Sequence, residues 1–162
     1  MANYCSNSVL FIGDEQSVAQ IKSLFEDIEK KQNKTGKWHM PSFIKGDDGF
    51  MLDIVIDKRA INYETRWVPN LEVLAQIADK YQVGFISKFQ EIANGIYGEA
   101  AYRDGKLTSV TLSKEELACL HYDKAMNGYL LGDQVYEYEG DLLDVLLEQK
   151  KLLESSNYNI SR

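Results

Sequence analysis

The amino-acid sequence predicts an α+β fold built on a split βαβ antiparallel sheet with two helices on one face. Three observations lead to this class. The apolar pattern from residue 5 to residue 90 runs in the order strand, helix, strand, strand, helix, strand. The first of these strands is apolar on both faces, which is typical of a central strand. The chain has 162 residues and no internal repeat, so we expect residues 1–162 to form one domain.

The first strand is expected from Cys5 to the break at Gly13-Asp14. Its side chains alternate between two apolar faces, which suits a position inside the sheet. Asp14 or Ser17 can cap the helix that follows, and this helix is expected to reach about Lys31. Its buried stripe is predicted to contain Val18, Ile21, Leu24, Phe25 and Ile28.

A long polar connection over residues 32–49 separates this helix from the second strand. Loops of this length are usually functional or mobile. The run from Gly46 to Gly49 predicts a tight turn. Residues 50–56 then alternate as a half-buried strand, and one face is expected to carry Phe50, Leu52, Ile54 and Ile56.

The third strand is predicted over residues 61–67, after an interruption at Lys58-Arg59. Asn70 can cap a helix over residues 71–81, and residues 82–90 form the next strand. This order is that of the ferredoxin-like fold. In that fold the first and third strands are neighbours at the centre of the sheet, and we expect the same here.

A hairpin should extend the sheet beyond this core. Residues 96–103 and 107–112 flank Asp104-Gly105, which is the strongest hairpin signal in the chain. The ferredoxin-like core and its hairpin are therefore expected to span residues 1–112.

Residues 113–162 are expected to form a helical extension. A capping box at Ser113 opens a short helix, residues 129–136 suggest a second hairpin, and a last helix begins near Asp141, followed by a frayed polar tail after Ser155. These helices should pack on the sheet face that the first two helices leave open. Otherwise a second copy of the chain would bury the leucine stripe of the last helix in a homodimer. The stripe consists of Leu142, Leu143, Leu146, Leu147 and Leu153.

The composition is that of a soluble, acidic globular protein, with a net charge of −7 and a pI near 4.9. Binding to nucleic acid through its backbone alone needs a basic face and is disfavoured. The acidic balance allows docking onto a basic partner or serves solubility alone. The sequence has no apolar run of about 20 residues, no signal segment, and no disulfide or metal spacing in its two cysteines. We therefore expect a cytoplasmic protein with no membrane contact.

Motifs for catalysis or cofactors are missing from the sequence. It contains no phosphate-binding glycine loop and no cofactor fingerprint. His39 and His121 lack a second ligand at metal spacing, and the aspartates near residue 47–57 do not match a calcium loop. Cys5 could meet a histidine in space, but a free cysteine is commonly a small apolar residue. We expect no enzyme, no metal and no cofactor.

One candidate binding site combines Asn3, Asn7, Arg66 and Trp67. If the first and third strands are neighbours, Asn7 approaches Thr65-Arg66-Trp67. An amide can bind a polar ligand, and a guanidinium beside an indole can stack. The alternative is that Trp67 packs under a helix and Arg66 is simply solvated.

A second candidate lies in the connection over residues 32–49, which we call the basic connection. Lysines there surround an indole and an imidazole. Such a group can hold single-stranded nucleic acid, although solvated lysines are the simpler explanation. Its residues are Lys34, Lys37, Trp38 and His39. Aromatic residues on the strands could also stack on bases but are more simply core residues. These are Tyr63, Trp67, Phe85, Phe89, Tyr97 and Tyr102.

Two stretches resemble a known family. They are the opening MANYCSNSV, residues 1–9, with the following Gly13-Asp14, and the triplet Thr65-Arg66-Trp67. They are similar to the YubB-like family with a ferredoxin-like domain, small proteins of bacterial plasmids, phages and conjugative elements. The resemblance covers residues 1 to about 112. It implies a ferredoxin-like fold and a cytoplasmic location, and it implies no established activity.

Three functions remain open at this point. The first is a non-enzymatic binding protein of a mobile genetic element that docks an acidic surface onto a protein partner. The second is binding of single-stranded nucleic acid through residues 30–39 or the sheet aromatics. The third is a small enzyme with an unrecognised site.

Overall fold

The computed structural model describes residues 3–46, 50–58 and 60–160, with side chains to residue 156. The expected turn at Asp47 and Asp48, and Arg59 in the expected interruption, lie outside these ranges. The helices and strands of the core are β1 (Tyr4–Ile12), α1 (Glu15–Thr35), β2 (Leu52–Ile56), β3 (Ile61–Arg66), α2 (Leu71–Tyr81) and β4 (Gly84–Glu91).

The chain continues through a short 3-10 turn, the hairpin and the C-terminal extension. These elements are the turn Ile92–Asn94, β5 (Ile96–Arg103), β6 (Lys106–Thr111), α3 (Lys114–Ala118), β7 (Tyr122–Asp123), β8 (Gly128–Leu131), β9 (Gln134–Tyr136) and α4 (Glu139–Ile160). The tail that was expected to fray is helical as far as Ile160.

The main sheet has the strand order β2-β3-β1-β4-β5-β6 within the described ranges. All of its neighbouring strands are antiparallel. β1 lies in the interior, where Asn7 is opposite Tyr63 on β3 and Phe89 on β4. The predicted α+β, ferredoxin-like fold is confirmed, with the β5–β6 hairpin as an extension of the core.

The face of the sheet covered by α1 and α2 contains the main core. Phe11 on β1 lies with its ring centroid 6.2 Å from that of Phe25 on α1 and 6.0 Å from that of Phe85 on β4. Ile77 and Leu74 of α2 complete the same cluster. Because Val9 and Phe11 point into this core, Leu10 between them and Ile12 after them point to the opposite face.

The second strand departs from its predicted alternation. A bulge lies between Leu52 and Val55 in its pairing with β3, and Asp53 has φ of 47°. A bulge adds a residue and re-aims the side chains after it. Met51 and Ile54 are therefore the buried residues, and Phe50 precedes the strand. The prediction that Phe50, Leu52, Ile54 and Ile56 share one face was wrong.

The last helix covers only one half of the second face of the sheet. Leu143 and Leu147 pack with Tyr97 of β5 and with Leu112 just after β6. Lys151 of α4 also pairs with Glu99 of β5, with 2.7 Å between Nζ and Oε1. These contacts lie on the β4–β5–β6 side. The outward face of β2, β3 and β1 is left uncovered by α4.

The leucine stripe of α4 is only partly buried. Leu142, Leu143 and Leu147 lie in the interior, whereas Leu153 is 66% exposed. A 22-residue helix is about 33 Å long, and an eight-residue strand spans about 26 Å. The sheet therefore buries only part of the predicted stripe. Burial of the remainder by a second copy of the chain stays a prediction. None of the helices in the described ranges is both long and apolar enough to span a membrane.

Candidate binding surfaces

The last helix leaves the outward face of β1, β2 and β3 uncovered, and we call this surface the open face. Neighbouring strands align its side chains in rows, because Ser8 lies between Asn62 on β3 and Lys88 on β4. Val55 on β2 is opposite the same Asn62. The outward residues of the open face include Tyr4, Ser6, Ser8, Leu10, Ile12, Val55, Asn62, Glu64 and, at the end of β3, Arg66.

Three apolar side chains on the open face are close to half exposed or more. The exposed fraction is 45% for Leu10, 45% for Ile12 and 60% for Val55. Single exposed apolar residues are common on any protein surface, whereas a group on adjoining strands of one sheet face is typical of an interaction surface. The sequence predicted β1 to be apolar on both faces, but it assigned no binding role to Leu10, Ile12 or Val55.

A groove of about 450 Å³ runs between the open face and α4. Its cation Lys88 pairs with Asp144 of α4, with 3.0 Å between Nζ and Oδ1. The Tyr97 hydroxyl donates to the same carboxylate at 2.8 Å, and burial and this carboxylate raise the pKa of Tyr97. Asp53 and Glu64 also line the groove, and in the described part of the chain neither forms an ion pair. The groove is therefore net acidic.

Asn7, a predicted site residue, lies on the helix-covered side of β1 and is 4% exposed. Its Nδ2 donates to the Cys5 carbonyl at 2.8 Å and to Thr65 Oγ1 at 2.9 Å. Thr65 Oγ1 in turn donates to the Val68 carbonyl at 2.8 Å. Asn7 therefore supports the turn after β3 from inside the protein.

Trp67 occupies a strained turn directly after β3. Its φ is 66°, and the Val68 amide donates to the Arg66 carbonyl at 2.7 Å. A hydrogen bond from residue i+2 to residue i around a positive φ defines a γ-turn of the rare, strained kind. A bulky residue adopts this conformation only where the surrounding structure enforces it. The turn leaves the Trp67 side chain 52% exposed.

Asn3 anchors the same turn through its backbone. Its carbonyl accepts a hydrogen bond from the Trp67 amide at 3.0 Å, while its side-chain Nδ2 donates to Asn94 Oδ1 at 3.1 Å. The structure thus brings the four predicted residues to one region. Asn3 and Asn7 hold the turn, and Arg66 and Trp67 lie at its surface.

Arg66 connects the two candidate binding sites that were predicted from the sequence, one at the end of β3 and one in the basic connection. Its guanidinium carbon lies 4.2 Å from the ring centroid of Phe50 and 5.6 Å from that of Trp38. The centroids of Trp38 and Phe50 are 3.9 Å apart. The basic connection and the end of β3 therefore form one surface. Phe50 was missed as a member because its spacing placed it on one strand face with Leu52, Ile54 and Ile56.

Hydrogen bonds around Thr35 connect residues at the start of the basic connection. The Thr35 hydroxyl donates to the Lys31 carbonyl at 2.8 Å and lies 2.9 Å from His39 Nε2. The Lys37 amide also donates to Thr35 Oγ1, at 3.2 Å. Lys34 and Lys37 are exposed. His39 is therefore engaged within the connection, and the two lysines face solvent.

The strand aromatics, other than Trp67, are core residues. Tyr63, Phe85, Phe89 and Tyr102 are buried beneath the helices, and Tyr97 packs against leucines of α4. A base cannot stack on rings in these positions. Their burial agrees with the favoured interpretation of these rings as core residues, because the strands turn them toward the helices or under α4.

Cys5 is fully buried at the start of β1. Burial raises the pKa of its thiol from 9.0 to about 11, and a hydrogen bond with Thr65 opposes part of that shift. A thiol in this state is a poor nucleophile, since the thiolate is the reactive form. Across the described ranges, no three or more histidine, cysteine or acidic side chains are grouped to hold a metal ion. Asp47 and Asp48 lie outside those ranges.

Comparison with known proteins gives one family. A family model described as the ferredoxin-like domain in Api92-like protein matches residues 43–125, just over half of the chain. The matched segment contains β2 to β7, including β3 and the Trp67 turn. No curated protein and no solved structure matches the chain.

Proposed function

We propose that this chain, which belongs to the family of the ferredoxin-like domain in Api92-like proteins, is a non-enzymatic binding protein that docks onto a protein partner through the open face. The family description gives a fold and no activity, so the proposal depends on the surface of this chain. The similarity of residues 1–9 and of Thr65-Arg66-Trp67 to the YubB-like family supports a cytoplasmic protein of a mobile genetic element.

The half-covered sheet is the observation that carries this proposal. In a split βαβ sheet two helices bury one face, and the other face must be solvated, covered or used. Here α4 covers the β4–β5–β6 side, and Leu10, Ile12 and Val55 remain exposed on the other side. Burying the exposed half of one such side chain contributes about 1 kcal/mol. Three of them can anchor a modest interface.

The charge of the groove determines the kind of partner. Asp53 and Glu64 supply carboxylates beside the apolar residues, and Lys88 is already paired with Asp144. The chain as a whole carries −7. A complementary partner presents apolar side chains flanked by lysine or arginine, and the surrounding negative field accelerates its approach. The sheet backbone is hydrogen-bonded on both sides of β1, so little ordering is required on binding.

A capture experiment tests the proposal. The immobilised chain is incubated with increasing amounts of host lysate, and bound proteins are quantified by mass spectrometry. We expect at least one partner that saturates and is lost with Leu10→Lys or with Glu64→Lys. The control is Leu152→Lys, which places the same charge on a residue of α4 that is 66% exposed. Absence of a saturable partner, or equal capture by all variants, contradicts the proposal.

A further inference from the structure

Two tryptophans from separate segments are exposed at one corner of the sheet. Trp38 belongs to the connection after α1 and is 48% exposed, and Trp67 follows β3 and is 52% exposed. Arg66 links the two segments, because its guanidinium lies over the rings of Phe50 and Trp38. A groove of about 310 Å³ continues past Phe50, Arg66 and Trp67. We call these four residues the cation–aromatic cluster: Trp38, Phe50, Arg66 and Trp67.

Three cationic side chains belong to this cluster or to the segment just before Trp38. Lys34 and Lys37 are exposed, and neither they nor Arg66 form an ion pair in the part of the chain that the structure describes. Lys37 lines a smaller groove beside Trp38 together with Glu29 and Asp53, and Arg66 lines the groove that continues past Trp67. These cations are unpaired within the described ranges, whereas Lys88 in the groove of the open face is paired with Asp144.

We propose that the cation–aromatic cluster, with Lys34 and Lys37, binds single-stranded nucleic acid. Unpaired bases stack on exposed aromatic rings while lysines and arginines follow the phosphates, and this combination is what single-strand sites contain. A duplex hides its base faces and cannot use the rings. The site goes beyond the protein partner proposed for the open face and does not depend on it.

The net negative charge of the chain does not prevent such a site. At physiological ionic strength the Debye length is about 8 Å, so distant carboxylates act weakly on a phosphate held at the cluster. The small number of cations predicts a weak, salt-sensitive site. Neutralising about three phosphates on a single strand gives a slope of log affinity against log salt of about −2.

Strain at Trp67 supports a binding role for its side chain. A γ-turn with φ of 66° is costly for an aromatic residue, and a buried network of Asn7 and Thr65 maintains it. Strained conformations of this kind concentrate at ligand-binding sites. A turn that favours glycine instead carries an exposed indole, which a purely structural turn does not require.

Fluorescence anisotropy of a labelled ten-nucleotide oligo-dT, titrated with the full chain, tests the site. We expect saturable binding at 20 mM salt with quenching of tryptophan fluorescence, and a salt slope of about −2. Unlabelled oligo-dT should compete better than heparin, poly-glutamate or duplex of equal charge. Equal competition by heparin, or better competition by poly-glutamate, overturns the proposal in favour of a general polyanion or an acidic protein. No anisotropy change at 20 mM salt also overturns it.

Charge variants separate this site from the rest of the surface. Lys34→Glu with Lys37→Glu should weaken oligo-dT binding at least about tenfold. Lys106→Glu with Lys124→Glu changes the net charge equally on exposed residues elsewhere and should leave affinity within about twofold. Equal losses in the two pairs overturn the proposal.

Aromatic variants provide the second arm. Trp67→Gly removes the indole at a φ that glycine adopts freely, so loss of binding is not a loss of fold, and we expect at least about fivefold weaker affinity. Tyr138→Ala removes an aromatic side chain that is 63% exposed elsewhere and should have no effect. Leu10→Lys, which tests the open face, should leave oligo-dT binding intact. The variants thereby distinguish a failure of the nucleic-acid site from a failure of the protein-binding site on the open face.

Discussion

Asn7 on β1 donates a hydrogen bond from Nδ2 to the hydroxyl of Thr65 on β3, at 2.9 Å and inside the core. The same hydroxyl donates onward to the Val68 carbonyl beyond the strained turn. A polar pair in a buried position fixes direction as well as distance, since each buried group needs its partner. The pair therefore determines how the chain leaves β3 and where the Trp67 side chain lies.

Thr65→Val should destabilise the protein by about 1–3 kcal/mol, because it leaves buried donors and acceptors without partners. The measurement is the free energy of unfolding in urea. Thr108→Val is the matched control, since Thr108 also donates to a carbonyl but is exposed on β6. We expect a change of about 0.5 kcal/mol or less there. Equal effects at the two sites would show that the buried network does not stabilise the turn.

Trp67→Gly should be more stable than Trp67→Ala by about 1 kcal/mol. Both variants remove the indole, but only glycine adopts a φ of 66° without steric conflict. Thermal or urea unfolding of the two variants measures the difference. If the alanine variant is as stable as the glycine variant, the turn at Trp67 carries no strain in solution.

Stability should fall as the pH rises above 9, in part because of Cys5. Burial raises the pKa of the folded thiol to about 11 from 9.0 in the unfolded chain. Above pH 9 the unfolded chain therefore binds fewer protons than the folded chain, and each pH increase favours unfolding. The loss from this group amounts to about 2 kcal/mol at pH 11 and approaches about 3 kcal/mol above it.

The comparison that isolates this effect is the wild-type chain against Cys5→Ala, with the free energy of unfolding measured between pH 8 and pH 11. Burial also raises the pKa of Tyr63, so both proteins lose stability at high pH. Only the wild type should show the additional decline that begins near pH 9. Parallel curves would mean that the Cys5 thiol is not sequestered from solvent.

Leu143→Ala should cost about 2–5 kcal/mol, because Leu143 is fully buried where α4 meets the sheet. Leu153→Ala removes the same atoms from a side chain that is 66% exposed on the same helix, and we expect a change below about 1 kcal/mol. Urea unfolding measures both. A large cost at Leu153 would show that this residue is buried in solution, as it would be if α4 mediated a homodimer.

Much of the fold follows from the sequence because the decisive signals are local. Apolar periodicity marked β1, α1, β3 and α2 close to their observed bounds. The Asp104-Gly105 turn marked the β5–β6 hairpin, and the Ser113 capping box marked the start of α3. The bulge at Asp53 left no such signal, since an extra residue in a strand alters pairing without altering composition.

The candidate surfaces needed information from distant parts of the chain. Arg66 and Trp67 were selected by residue type, but the approach of Trp38 and Phe50 to Arg66 depends on where the connection after α1 lies. The open face likewise depends on how far α4 extends across the sheet.

The sequence by itself determined most of the strands and helices, because periodicity and turn chemistry act within a few residues. Their order also indicated the fold in which the first and third strands are neighbours. Only the tertiary structure decided that Asn7 is internal support, that Trp67 is exposed on a strained turn, and that half of one sheet face stays uncovered. The physical reason is that burial and side-chain partners are set by elements far apart in the chain, and these do not appear in any local pattern.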